Sequence, residues 1–229
     1  MPQAKEKPHH TGHRDRLRSR FVENGADALA DYELLELLLF MAIPRRDVKP
    51  LAKDLIKKFG SIGNVFAASV DQLCEVDGVS ATAAVALKSV EAAAHRMLKT
   101  GVEKQPVLSS WARLIDYCTA RMAREKNEQF RVLYLNRKNV LIADEVHQRG
   151  TVDQAAVFPR EIVARALATG ATAVILVHNH PSGDPSPSDL DITLTHDIIR
   201  AMEPLDITVH DHLIIARTGH TSFKQLGLI

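Results

Sequence analysis

Residues 171–194 read ATAVILVHNHPSGDPSPSDLDITL, and a strand, a loop and a helix start can be read straight through them. Ala171–Val177 is a continuous apolar run, as expected of a strand buried on both faces. A Pro/Gly/Ser-rich loop follows, and Ser186-Pro187-Ser188 looks like an N-cap with proline at the first helical position, opening a helix over Ser188–Met202. His178 and His180 stand two apart at the strand end, and period two puts both imidazoles on one face. Ser188 and Asp191 stand three apart on one helical face. A helix packed on that strand would bring two imidazoles and a carboxylate together. His178, His180 and Asp191 would then be a three-ligand zinc set, one ion per chain, with the open fourth position that hydrolytic zinc needs. Each half alone has a structural reading: Ser188/Asp191 and Ser186/Asp189 both fit a capping box, and the histidines fit loop anchors. Their occurrence together favours the metal.

Outward from this stretch the texture is mixed. Arg131–Asn136 and Val140–Val146 read as strands joined by a turn at Arg137-Lys138-Asn139. Pro159–Thr169 reads as a helix with proline in its first turn, ended by Gly170, and Ile207–Ala216 reads as a last strand. Such mixing without βαβ repetition implies α+β or α/β with a mixed sheet. Hydrolysis also needs a base that is not a ligand, and the upstream candidates are Asp144, Glu145 and Glu161. Glu145 sits late in its strand, but spacing does not choose it over Asp144. His210 and His212 alternate on the last strand. They could form a second metal site, orient a zinc ligand, or simply pack.

The first hundred residues read as helical. Asp31 is a plausible N-cap for an apolar helix closed by Pro44, Val48–Phe59 carries a helical stripe ending at Gly60, and Ala81–Lys99 is a long alanine-rich helix. Lys99–Pro106 reads as a linker, giving a helical domain over 1–104 and a second domain over 105–229. Trp111 is expected as a core residue of the second domain. The first twenty residues hold six basic and two acidic groups and three histidines, His9, His10 and His13. They read as a solvated terminus or as an arm touching nucleic acid.

Composition narrows the classes. A hydrophobic fraction of 45% and a net charge of +1 exclude a disordered tail or a strongly basic coat protein. Cys74 and Cys118 lie far apart with no CxxC spacing, so they read as idle thiols in a reducing compartment. The longest apolar stretch, Leu34–Ile43, is too short to span a bilayer, and the N-terminus has no signal-peptide pattern. The expectation is a cytoplasmic protein with no membrane contact.

The spacing His178-x-His180, seven residues, Ser188, two residues, Asp191 resembles the JAMM (MPN+) metalloprotease motif. The flanking residues HNHPSGDPSPSDLDITLT, RGT at 149–151, PREIV at 159–163 and DHLII at 211–215 resemble the bacterial RadC family, as does the N-terminal half from HRDRLRSRF to Gly78. The resemblance implies zinc on His178, His180 and Asp191, with Ser188 donating to the oxyanion and Glu145 as general acid/base. It implies hydrolysis of a peptide or isopeptide bond and a cytidine-deaminase-like α/β/α JAMM (MPN) fold for the second domain. Leu73–Leu87, within about 60–98, resembles a helix-hairpin-helix, which binds DNA backbone through a Gly-x-Gly turn, although Ser80 replaces the second glycine here. Lys49, Lys53, Lys57, Lys58 and Lys88 could add phosphate contacts. Three classes follow: a zinc metallopeptidase or isopeptidase acting on a peptide or protein, a DNA-binding repair or recombination accessory protein, and a metal-dependent nuclease.

Overall fold

The computed structural model describes residues 12–103, 105–149 and 157–229. Contacts divide the chain into two compact units between Ala93 and Ala94, inside one long helix. The segment expected as a linker is helical from Lys99 to Glu103. Val102 is fully buried, and Lys99 pairs with Glu103 at 3.2 Å along the helix, so burial and charge pairing carry the helix past Gly101.

The first unit is all helical: α1 (His13–Asn24), α2 (Asp31–Ala42), α3 (Lys49–Phe59), α4 (Ile62–Ala67), α5 (Val70–Cys74) and the start of α6 (Ala81–Glu103). Its core gathers Leu35, Leu39, Leu51, Leu55, Leu73 and Leu87. Asp31 is the first residue of α2 rather than its cap, because Glu33 reaches back to the Ala30 N–H at 3.0 Å. His13 is not in a loose terminus. Its Nε2 meets Oε2 of the fully buried Glu36 at 2.7 Å, while His9 and His10 lie outside the described residues. Two of the five lysines that could add phosphate contacts are engaged within the unit: Lys58 pairs with Glu75, and Lys88 pairs with Glu91 and donates to the Phe66 carbonyl.

The second unit is an α/β/α sandwich. After α7 (Trp111–Met122) come β1 (Gln129–Leu135), β2 (Leu141–Arg149), α8 (Pro159–Thr169), β3 (Ala173–Asn179), α9 (Asp189–Met202), β4 (Thr208–Ala216), β5 (Gly219–Ser222) and α10 (Phe223–Leu226). The sheet order is β2-β1-β3-β4-β5, with β3 and β4 parallel and the other pairs antiparallel. Alternation sorts the side chains. Leu133, Leu135, Ile175, Val177, Leu213 and Ile215 pack with Leu114, Tyr117 and Met122 of α7, and the partly buried Trp111 joins them. On the other face Phe130, Val132, Tyr134, Val174 and Leu176 pack with Ile162 of α8 and Ile198 of α9. His178 and His212 share this second face, because Phe130 is opposite His178 and Leu176 is beside His212. No helix among the described residues is long and apolar enough to cross a membrane.

Candidate metal centre

β3 ends at Asn179, and His180 still bonds the sheet, its N–H donating to the Ile215 carbonyl at 3.0 Å. The chain then turns at Gly183, where φ of +96° is the left-handed region glycine allows, and enters α9 through Ser188. Ser188 Oγ accepts from the Asp191 N–H at 3.2 Å, and the Asp191 carboxylate takes the Ser188 N–H at 2.8 Å and its hydroxyl at 2.6 Å. The capping box is present, and it leaves Asp191 beside both histidines. The box holds the Asp191 side chain at the mouth of β3, with Oδ1 3.2 Å from His178 Nε2 and Oδ2 3.6 Å from His180 Nε2. The two Nε2 atoms are 2.9 Å apart.

These distances fit one ion. Tetrahedral zinc with bonds of about 2.0–2.1 Å places its donors about 3.3 Å apart. His180 Nδ1 is bonded at 2.8 Å to the Asp184 carbonyl, which can only accept, so Nδ1 carries a proton and Nε2 is the nitrogen that faces Asp191 and His178. Hydrogen bonding with Asp191 raises the His180 pKa. Burial pushes the Asp191 carboxyl up, but bonds from His178 and His180 outweigh it and hold the group far below the usual carboxylate range. Phe130 stacks on the His178 ring.

A fourth donor joins them. Atoms of Glu128, His178, His180 and Asp191 all lie within 4.8 Å of one another. Register explains Glu128: Phe130 is opposite His178, so two more antiparallel steps put Glu128 opposite His180 on the same face. Asn179, between the histidines, fixes this segment from both sides. Its Oδ1 accepts the Gln129 N–H at 2.9 Å, and its Nδ2 donates to the Asn127 carbonyl at 3.2 Å.

The expected base is elsewhere. Glu145 on β2 pairs with Val132 of β1, which pairs with Leu176 of β3, so a whole strand separates it from the histidines. Both its carboxylate oxygens lie 2.8 Å from Arg165 Nε, and that hydrogen bond holds its pKa below the ordinary value. Asp144 is on the opposite face, buried with Arg131 and the Tyr117 hydroxyl. His210 bonds Asn139 at 2.7 Å and takes no part in a second metal cluster among the described residues, whereas His212 touches His178.

A family model described as a RadC-like JAB domain matches residues 108–228, more than half of the chain, and one described as UPF0758 N-terminal matches residues 9–85. The chain belongs to the RadC family. Its JAB domain is a metal-dependent-hydrolase-like fold, and the four-residue cluster that could hold a metal lies inside the matched region. Of the RGT segment, Gly150 and Thr151 lie outside the described residues. In the first unit the hairpin turn is present, with φ of +87° at Gly78, but its groups are engaged internally. The Val79 N–H goes to the Val76 carbonyl, Ser80 Oγ caps α6 by accepting the Ala83 N–H, and the Arg46 guanidinium lies where a Cβ on Gly78 would stand.

Proposed function

We propose that this RadC-family chain is a zinc-dependent hydrolase of peptide or isopeptide bonds, with Glu128 rather than Glu145 as the general base. The observation that carries the reading is the convergence of Glu128, His178, His180 and Asp191 within 4.8 Å. Bound zinc supplies polarisation of the scissile carbonyl and acidification of water. His178 and His180 through Nε2, and Asp191 through its carboxylate, are the residues to hold it. Glu128 takes a proton from the attacking water and returns it to the leaving amine, which suits a half-buried carboxylate with no paired cation among the described residues. Ser188, at the start of α9, positions Asp191 with its N–H and its hydroxyl, and serves the developing oxyanion by turning its one hydroxyl proton away from Asp191.

The test is a mass-spectrometric screen of zinc-loaded protein against a peptide library. Wild type and Glu145→Gln are expected to cleave, and Glu128→Gln to be inactive while keeping its zinc. No cleavage by wild type, or activity that survives Glu128→Gln and vanishes with Glu145→Gln, contradicts the reading.

A second reading, association with a DNA backbone, rests on one feature of the first unit. A cavity of about 500 Å³ is lined by Arg14, Arg18, Arg45 and Arg46, beside the Gly78 turn. DNA binding that weakens with salt and is lost in Arg46→Glu supports it. Binding unchanged by that substitution contradicts it.

A further inference from the structure

A chain of buried hydrogen bonds runs from one proposed ligand to the backbone of another. His178 Nδ1 is 2.7 Å from His212 Nε2, His212 Nδ1 is 2.6 Å from Thr195 Oγ1, and Thr195 Oγ1 is 2.6 Å from the Asp191 carbonyl oxygen. Relative exposures of 1% for His178 and 0% for His212 and Thr195 leave no room for solvent to reverse a bond.

The direction of the whole chain follows from its last member. A carbonyl oxygen only accepts, so the single hydroxyl proton of Thr195 is committed to Asp191. Thr195 Oγ1 can then only accept from His212, which places the His212 proton on Nδ1 and a lone pair on Nε2. That lone pair accepts from His178, whose proton is therefore on Nδ1. In the neutral imidazole the remaining nitrogen of His178, Nε2, is then the one with the lone pair, and it is the one that faces Asp191 and His180. Helical spacing makes the closure possible, since Asp191 and Thr195 are four apart in α9, and His212 stands beside Leu176 on the parallel neighbour of β3. Phe223 against the His212 ring, with centroids 4.5 Å apart, fixes that ring's plane.

We propose that Thr195 and His212 are positioning residues that set the tautomer of His178, so that its Nε2 is the metal-facing nitrogen before any ion arrives. This deepens the zinc reading and rests on it for its purpose, though not for its geometry. Asp191 then acts twice, its carboxylate toward the ion and its carbonyl, through two intervening side chains, toward the orientation of a second ligand. Partners of this kind change metal affinity by about 10- to 100-fold when lost.

Two measurements on the full chain test it. Chelator competition for zinc compares wild type with Thr195→Val, which keeps the shape and removes the hydroxyl, and with Thr195→Ser, which restores it. The expected result is affinity about 10- to 100-fold weaker for Thr195→Val and within about two-fold of wild type for Thr195→Ser. Equal affinity in wild type and Thr195→Val overturns the proposal, as does failure of Thr195→Ser to recover. Imidazole nitrogen-15 correlation spectra of metal-free wild type give the second readout. They are expected to show His212 protonated on Nδ1 and bare on Nε2, and the opposite tautomer overturns the proposal. Wild type that takes up no zinc defeats the function proposed above, and the tautomer spectrum then decides this inference by itself.

Discussion

β1 has a seam on each side, and the two seams treat carboxylates in opposite ways. On the β3 side Glu128 stands opposite His180, half-buried, in a segment held by Asn179, and its carboxylate belongs to the convergent cluster. On the β2 side Glu145 is locked to Arg165 of α8, and Asp144 is neutralised by Arg131 and Tyr117. All three acids lie on or beside neighbouring strands of one sheet. What separates a group available for proton transfer from structural ones is whether a cation already holds it. A carboxylate in a bidentate pair with guanidinium has its lone pairs spent and its basicity reduced.

Substitutions on the two seams should therefore diverge. Glu128→Gln is expected to lower the turnover of any identified substrate by about 10²–10⁴-fold with zinc retained, measured as kcat with elemental analysis in parallel. Asp144→Asn leaves Arg131 buried without its charge partner, and denaturant unfolding should show a loss of about 3–5 kcal/mol. Asn179→Ala strands the Gln129 N–H and frees the Glu128 segment. It should cost about 1–3 kcal/mol and also lower activity, which separates it from Asp144→Asn, whose effect is on stability. Ser188→Ala removes the cap of α9 and should cost about 1 kcal/mol in stability. Glu145→Gln breaks a pair in which Arg165 is 44% exposed and should change stability by less than about 1 kcal/mol.

The same contrast explains how much could be read from the sequence. Local patterns sufficed for His178, His180, Ser188 and Asp191, since a strand end and a capping box place them within fourteen residues of one another. The helix Pro159–Thr169 was marked by proline in its first turn and by Gly170 after its end. Glu128 was not legible in this way. It precedes β1, and it becomes a neighbour of His180 only through antiparallel pairing across about fifty residues, which no local period encodes. Spacing left Glu145 and Asp144 undecided and only the family resemblance chose Glu145, while its partner Arg165, on a separate helix, was invisible to spacing. The end of α6 was hidden by Gly101, whose helix-breaking tendency is overridden by burial of Val102, and by Pro106, which lies just beyond the helix end at Glu103. Helix α7 was represented only by Trp111, and α1 was read as a loose terminus because its one buried side chain, Leu17, gives no visible stripe.

The most direct test of the central claim is anomalous diffraction at the zinc edge from crystals of zinc-loaded protein. The account predicts one peak per chain, about 2.0–2.2 Å from His178 Nε2, His180 Nε2 and an Asp191 carboxylate oxygen, with the Glu128 carboxylate beside it and Glu145 still on Arg165. No peak at these three side chains under zinc-saturating conditions, or a peak elsewhere in the chain, would contradict it.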